Sequence, residues 1–531
     1  MMMKLTVFLS LFWALNLLYG EWLAYLVPSQ WTCSWPHLQR PSNFSPQIGV
    51  DYQSSYVKIA VITDPQLMDK TSLPLAPKSL ALEVVQFYAD LYMRRAFLSS
   101  VLPFNPDVIL FLGDYFDGSD RLSDEEWQES LGRFKHIFNL NMIQKTSKPK
   151  IYYIPGNHDI GYAASYNLKP EIIKRYESEF GARNFKLTIG EVDFIAIDSQ
   201  TLDGHPQGNF TLDTWGFIEN ASKDISSTPR VLLTHIPLYR PDWTPCGPHR
   251  YSPVINQRIN RVDYHQEIVY QNYITEKSTN SLLDLIRPAL VLSGHDHDQC
   301  TVSHMYNNGH ATEHTVGTVS WQQGNLYPSF MLLSAKNSSV SDGITPEDAL
   351  LTNLCFLPMQ VHIYIWYLSL FAMTLVVILL WPANEVHIVR KLGSLMVAIR
   401  DVLKSFSSAV KVKNEDENVE YEEMWDAEGS MHLIKKTKKV QVVNESSSVE
   451  RSRGKVIMWR LLKKHEKGVA FMERDIYKGK LIIYIREGRL GKELTNRDIA
   501  ENLRGINKVL RVVPFRLYFY FMFNLRDGTD K

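Results

Sequence analysis

Between residues 57 and 292, short aliphatic or β-branched runs alternate with stretches of helical spacing, and each short run stops at a polar turn. Residues 57–63 stop at Asp64-Pro65-Gln66, and residues 108–112 at Gly113-Asp114-Tyr115-Phe116-Asp117-Gly118. Residues 150–155 deliver Gly156-Asn157-His158-Asp159. Residues 192–197 end at Asp198, 230–233 at Thr234-His235, and 289–292 at Ser293-Gly294-His295-Asp296-His297. Apolar runs of this length bounded by turns predict strands buried on both faces. Between them, 80–102 has helix-compatible spacing ended by Asn105-Pro106. Trp127, Leu131, Phe134 and Phe138 share one face of a helix that Ser123 and Glu126 open as a capping box. The alternation predicts an α/β architecture with mixed sheets rather than an all-β sandwich. Residues 239–273, rich in Pro, Arg, Asn and Tyr, predict a long loop insertion of the kind that contacts substrate.

Two longer apolar runs frame this pattern. Residues 5–27 are interrupted by Asn16 and Glu21, which fits a cleaved signal, a signal anchor or a first transmembrane helix. No small-x-small cleavage site follows, so an uncleaved anchor over 1–27 is expected. Residues 361–381 carry one titratable side chain, His362, across about the 20 residues that a bilayer-spanning helix needs. Arg390, Lys391, Arg400, Lys404, Lys411 and Lys413 follow that run, whereas 353–360 hold no positive charge. The positive-inside rule then places the C-terminal tail in the cytosol and the preceding domain on the lumenal side. Sequons at Asn43, Asn209, Asn220 and Asn337 agree, and the one at Asn444 falls in the predicted tail. The expected organisation is a lumenal lead-in over 28–56, a catalytic domain over 57–350, a span over 361–381 and a cytosolic tail over 382–531. Within the tail, 388–410 reads as a basic amphipathic helix for an anionic leaflet or a partner, and the remainder as largely disordered or unreadable.

Composition narrows the classes. The chain has 531 residues, more than one compact core needs. Its 57 basic residues balance 57 acidic ones and do not concentrate in the catalytic stretch, which excludes a nucleic-acid binder. Cys33, Cys246, Cys300 and Cys355 lack CxxC spacing, which argues against a thiolate zinc site. In an oxidising compartment they allow at most two bridges, Cys246 with Cys300 and Cys33 with Cys355 being one pairing that sequence does not fix.

The strand ends carry the chemistry. Asp64, Gln66, Asp114, Asn157, His235, His295 and His297 offer oxygen and nitrogen donors only, enough for two divalent ions. A carboxylate such as Asp114 can bridge two ions, and ions about 3.5–4 Å apart clamp the attacking and leaving oxygens of a displacement at phosphorus. His158 is placed to give a hydrogen bond or proton to the phosphate or leaving oxygen, and Asp117 to orient that imidazole. Asp198 is expected to cap a turn or support its neighbours. His304 is open between a supporting role and a plain loop histidine.

Asp64-x-Gln66, Gly113-Asp114-x-x-Asp117, Gly156-Asn157-His158-Asp159, His235 and Gly294-His295-x-His297 resemble, in order, the signature of the calcineurin-like metallophosphoesterase superfamily. The resemblance implies a four-layer αββα sandwich, here with flanking transmembrane helices, and a dinuclear centre. On it, Asp64, Gln66, Asp114 and His297 hold one metal, and Asp114, Asn157, His235 and His295 the other. The flanking apolar segments, the Asp-Pro-Gln start, Cys300, His304 and Ser320-Trp321-x-x-Gly324-Asn325 are similar to the metallophosphoesterase 1 and cell division control protein 1 group. That narrower resemblance implies a manganese-dependent phosphodiesterase of the early secretory pathway, in the endoplasmic reticulum or Golgi. Its substrate would be ethanolamine phosphate on the mannose of glycosylphosphatidylinositol (GPI) glycolipid or GPI-anchored proteins. Gln66 stands where the wider superfamily has His, and its amide oxygen favours harder ions such as manganese. The alternatives are a membrane-tethered phosphomonoesterase and a catalytically impaired membrane scaffold.

Overall fold

The computed structural model describes residues 2–39, 56–146, 148–164, 169–224, 228–255, 258–261, 267–307, 309–323, 325–337 and 349–380, with the backbone of 421–425 and 431–435. By compactness the chain divides into a unit that holds residues 1–382 and a second drawn mostly from 383–511. The first unit contains both large sheets and every candidate donor residue. After residue 380, the described part is two short paired strands, Tyr421–Trp425 and Met431–Lys435. The helix expected over 388–410 and the sequon at Asn43 lie outside the described residues.

In chain order the strands are β1 (Tyr56–Ile62), β2 (Val108–Phe111), β3 (Lys150–Tyr153), β4 (Phe185–Ile189), β5 (Val192–Ala196), β6 (Arg230–Leu233), β7 (Ile259–Arg261), β8 (Ile268–Gln271), β9 (Leu290–Ser293), β10 (Cys300–Tyr306), β11 (Gly309–Thr315), β12 (Ser329–Lys336) and β13 (Leu350–Phe356). The principal helices are α1 (Met2–Leu18), α2 (Leu80–Arg95), α3 (Asp124–Ile137), α4 (Pro170–Phe180), α5 (Asn209–Ser222), α6 (Glu276–Ile286) and α7 (Gln360–Leu380). One sheet has the order β13-β12-β1-β2-β3 and the other β10-β11-β9-β6-β5-β4. β1, β2 and β3 run parallel in the first, and β5, β6, β9 and β11 in the second.

Side-chain alternation along these strands builds the layers. Val61, Leu110, Phe194, Leu233, Leu292 and Leu333 fill the space between the sheets. The opposite faces of the first sheet, at Ala60, Ile62 and Phe111, pack on Tyr92, Trp127 and Phe134 from the helices. On the second sheet, Ile195, Leu232 and Val291 pack on Ile218 of α5 and Leu282 of α6. Residues two apart share a face of a strand, so apolar residues throughout a run supply both faces at once. The result is the four-layer α/β sandwich. Ser123 and Glu126 open α3 as a complete capping box. The first sheet extends through residue 356, because β13 pairs in register with β12 from Ser329↔Phe356 to Ala335↔Leu350.

Two helical runs, Leu5–Thr32 and Gln360–Ile378, are long and apolar enough to cross a membrane. They lie side by side: Trp13 Nε1 donates to Thr374 Oγ1 (3.0 Å), Trp366 Nε1 to Asn16 Oδ1 (2.9 Å) and Tyr25 hydroxyl to Gln360 Oε1 (2.7 Å). Polar pairs of this kind join helices where no water competes. Asn16 and Glu21, which interrupt the first run in sequence, are thus accounted for, since Glu21 pairs with Arg95 of α2. Below them Tyr25 is fully buried in the first core layer, and Cys33 is bridged to Cys355 of β13. Asn209, Asn220 and Asn337 are exposed.

Candidate metal centre

The carboxyl ends of β1, β2, β3, β6 and β9 converge, and each delivers the residues that its sequence run predicted. The donors fall into two groups, Asp64 with Asp114 and His297, and Asp114 with His235 and His295, the ligand atoms of each lying within 4.8 Å of one another. All are buried, and Asp114 is common to both. Asn157 joins the second group through its Oδ1, 3.1 Å from His235 Nε2. Gln66 meets the shared carboxylate, its amide nitrogen donating to Asp114 Oδ2 at 3.1 Å.

Buried acceptors left without donors point to a cation. Gln66 Oε1 and His297 Nε2 are both buried without a hydrogen-bond partner. Stranding an acceptor in this way costs about 1–3 kcal/mol unless something positive sits against it. Neighbouring hydrogen bonds set which nitrogen is offered. His235 Nδ1 donates to the Leu112 carbonyl (2.7 Å), which leaves Nε2 as its ligand atom. His295 Nε2 donates to the Gln271 carbonyl (3.2 Å), which leaves Nδ1. Oxygen and imidazole donors suit divalent ions, and these residues fit a metal centre.

The local backbone is unusual for non-glycine residues. Asp64, Gln66, Asp114, His295 and His297 all have positive φ, between 38° and 65°. Left-handed conformations of this kind cost about 1–2 kcal/mol each in L-residues and persist only where surroundings fix them. Backbone bonds do the fixing, with Gln66 N–H donating to the Asp114 carbonyl (2.8 Å) and His295 N–H to both Asp64 carboxylate oxygens (3.1 Å each). Gly113 sits at φ 101°, and a Cβ there would lie 2.5 Å from His235 Nδ1. One added methyl would push the imidazole off its carbonyl partner.

Electrostatics follow the crowding. Burial alone would raise Asp114, but the charges of His235 and His158 outweigh it and hold the carboxyl well below its usual range. Burial depresses His235, yet Asp114 and Asp64 overturn this and push it up to about 9. The cluster attracts positive charge, which a divalent cation supplies in place of protons.

His158 lies beside the donors. Its Nδ1 is 2.5 Å from the Asp117 carbonyl oxygen and 3.9 Å from Asp117 Oδ1, and its Nε2 is 4.0 Å from Asp114 Oδ2. The closer partner is the main-chain carbonyl of Asp117 rather than the carboxylate expected from sequence, because the turn after Asp114 brings the peptide oxygen nearer. His304 is settled as a supporting residue: its Nε2 bonds Glu313 Oε2 at 2.8 Å, away from the donors. Glu313 also accepts from Ser293 and pairs with the fully buried Arg240. Asp198 pairs with Arg183 (2.5 Å) and belongs to neither donor group.

Several residues that hold the centre have roles that their place in the sequence does not reveal. Asp159 accepts from the backbone N–H of Asp114 (2.8 Å), Tyr115 (2.8 Å) and Gly156 (2.9 Å), clamping the β2 and β3 loops together. Burial and the Asp114 charge push its carboxyl up to about 7. Asp159→Asn aims an amide N–H at two of those donors and is expected to lower stability by about 2 kcal/mol, read from the urea midpoint. An unchanged midpoint would show that the clamp contributes little. Ser199 Oγ receives the N–H of His235 and Ile236. Gln322 Nε2 donates to the Gln66 carbonyl (2.9 Å), and Asn325 Nδ2 to the His297 carbonyl (2.7 Å). Gln322 and Asn325 therefore brace the left-handed donor residues Gln66 and His297. The insertion over 239–273 is tied to the histidine loop by Cys246–Cys300 and by Arg250 Nη1 on Asp296 Oδ2 at 2.6 Å.

Comparisons with known proteins agree with this geometry. Residues 57–299 match the calcineurin-like phosphoesterase family. The chain is 30% identical over 326 residues to cell division control protein 1 of Saccharomyces cerevisiae, covering 58% of this chain and 63% of that protein, less than two thirds of its length. It is 28% identical over 380 residues to the metallophosphoesterase 1 homolog of Drosophila melanogaster, covering 68% of this chain and 89% of the relative. With Mus musculus metallophosphoesterase 1 it shares 29% over 282 residues, covering 49% and 67%.

Proposed function

We propose that this protein, whose residues 57–299 match the calcineurin-like phosphoesterase family, is a membrane-anchored, metal-dependent phosphodiesterase that removes ethanolamine phosphate from the mannose side chain of GPI anchors. The proposal includes two divalent ions, manganese in the cell, a lumenal catalytic domain in the endoplasmic reticulum or Golgi, and a cytosolic tail. The observation that carries it is the pair of buried donor groups sharing Asp114, with His158 beside them.

Divalent ions bound there would polarise the phosphoryl oxygens and lower the pKa of water at the site. The residues do the rest. Asp114 lies in both donor groups and so fixes their separation. Asp64 and His297 complete one group, His235, His295 and Asn157 the other, and Gln66, whose buried amide oxygen has no hydrogen-bond partner, would join the first. With Nδ1 donating to the Asp117 carbonyl, the His158 ring directs Nε2 toward the donors, where a proton on that atom can pass to the leaving oxygen. The insertion is anchored beside the histidine loop through Arg250 on Asp296 and the Cys246–Cys300 bridge. The two apolar helices and the similarity to the metallophosphoesterase 1 group support a membrane-borne substrate, and the Cys33–Cys355 and Cys246–Cys300 bridges support an oxidising lumen.

In cells lacking the protein, GPI glycans are expected to retain side-chain ethanolamine phosphate, and the metal-loaded wild-type protein to release it from purified GPI. Normal glycans together with no release would overturn the substrate. Turnover of phosphomonoesters far above that of diesters would favour a membrane-tethered phosphomonoesterase instead.

A further inference from the structure

Helix α2 carries an apolar stripe that no element among the described residues covers. Its inner face is buried through Leu82, Ala89, Tyr92 and Met93. Its outer face presents Leu80 (76% exposed), Val84 (43%) and Phe87 (39%), spaced by four and three residues and therefore stacked on one side of the helix. Exposed apolar side chains in isolation are ordinary, but a contiguous stripe marks a contact surface. Leu75, in the turn before the helix, is exposed as well.

The place of this stripe identifies what covers it. α2 is packed directly against the two apolar helices. Tyr88 meets Tyr364 of α7 edge-on with ring centroids 6.4 Å apart, and the Tyr92 hydroxyl donates to the Pro358 carbonyl (2.9 Å) just before α7 begins. At the far end of α2, Arg95 pairs with Glu21. Tyr19, Trp22 and Trp366, at the same level of the two helices, are each more than half exposed. Amphipathic rings gather at the boundary between hydrocarbon and headgroups. A charged pair beside that belt also fits the boundary, where water and headgroups begin. The stripe on α2 is thus continuous with the apolar surfaces of the spans at the level where a bilayer would end.

We infer that α2 is an interfacial helix, its Leu80, Val84 and Phe87 face sunk into the headgroup region of the bilayer that the two apolar helices cross. An amphipathic helix of this kind buries its apolar side about 5–10 Å into the boundary. The consequence reaches the metal centre through two short routes. Gln86 of α2 donates to the Met68 carbonyl (3.1 Å), two residues beyond Gln66. Trp321 packs on Tyr364 of α7 (centroids 5.7 Å), and its neighbour Gln322 holds the Gln66 carbonyl. Docking of α2 seats the donor cluster over the membrane surface and selects phosphodiesters borne on membrane glycolipids over soluble ones. The inference rests on the membrane anchoring in the proposed function.

The test is site-directed spin labelling of the full chain in phosphatidylcholine vesicles. All four native cysteines are paired, so single cysteines at Val84, Phe87, Lys277 and Leu368 can be labelled separately. Leu368 lies on the exposed face of α7 and reports the span itself, and Lys277 is exposed on α6 over the second sheet and reports water. Labels at 84 and 87 are expected to collide severalfold more with oxygen, relative to a water-soluble nickel chelate, than the label at 277. A lipid signal at 368 with a water signal at 84 and 87 overturns the inference while leaving the anchoring intact. Water signals at all of them overturn both. A cysteine at Leu80 repeats the measurement if a labelled variant at 84 or 87 unfolds at a lower temperature than wild type.

Discussion

Asp114→Asn is expected to empty the metal centre and abolish phosphodiester turnover together. Asp114 is the one side chain shared by both donor groups. Its Oδ2 lies 3.2 Å from His235 Nε2 and accepts from the Gln66 amide, while its Oδ1 accepts the His158 N–H at 2.9 Å. Asparagine keeps the shape but removes the negative charge around which the buried imidazoles are gathered. Breaking a buried charge pair by removing one partner costs about 3–5 kcal/mol, which corresponds to about 10²–10⁴ in a binding constant. Metal content by mass spectrometry after dialysis is expected to fall well below that of the wild type, and turnover of a diester to fall at least as far. A variant with wild-type metal content and wild-type turnover would sink the assignment of Asp114 as the shared ligand. A urea unfolding curve taken alongside separates loss of metal from loss of fold.

His158→Ala is expected to separate chemistry from metal binding. The ring belongs to neither donor group, and its Nε2 is 4.0 Å from the nearer oxygen of Asp114. General acid–base groups contribute about 10²–10⁴-fold, and kcat should fall by that factor while metal content stays at the wild-type level. A diester with an acidic leaving group such as 4-nitrophenol needs less help from a proton donor. The deficit should therefore be smaller on that substrate than on one with an alkoxide leaving group. Equal deficits on both would argue that His158 acts on the phosphoryl oxygens. Loss of metal along with activity would make it a structural support of the centre. Wild-type kcat on both would remove it from the chemistry. Asp117→Asn is a gentler change, because the main-chain carbonyl that holds Nδ1 survives the substitution.

The donor set was legible from sequence because each member follows an uninterrupted apolar run. Such runs have few ways to be buried other than as central parallel strands, and ligands gather at the carboxyl ends of those strands. The capping box of α3 was legible for a similar reason, since Ser123 and Glu126 satisfy each other's backbone within one turn. β11 and β13 were harder to read. Gly309–Thr315 alternates polar with small residues, and Leu350–Phe356 is interrupted by Thr352 and Asn353, so neither shows the continuous apolar signature. Their place is set by register with β10 and β12.

The supporting residues were the least legible. Asp159 stands inside the same motif as His158, yet its role depends on the N–H groups of Asp114 and Tyr115, more than forty residues away. His304 shows no distinct role in sequence, because its partner Glu313 meets it only across the hairpin of β10 and β11. The cysteine pairings belong to the same class, as Cys33 and Cys355 are 322 positions apart.

Hydrophobic periodicity and strand-end chemistry are local, so the layers, the succession of strands along the chain and the candidate donors at the strand ends are already written in the residues. The packed fold decided which donors share Asp114 and which nitrogen of each imidazole faces the centre. It also decided that Asn16 and Glu21 are paired, and that α2 lies against the spans. Those outcomes depend on hydrogen bonds and contacts between residues distant along the chain, and such distances are fixed only when the sheets, helices and loops close on one another.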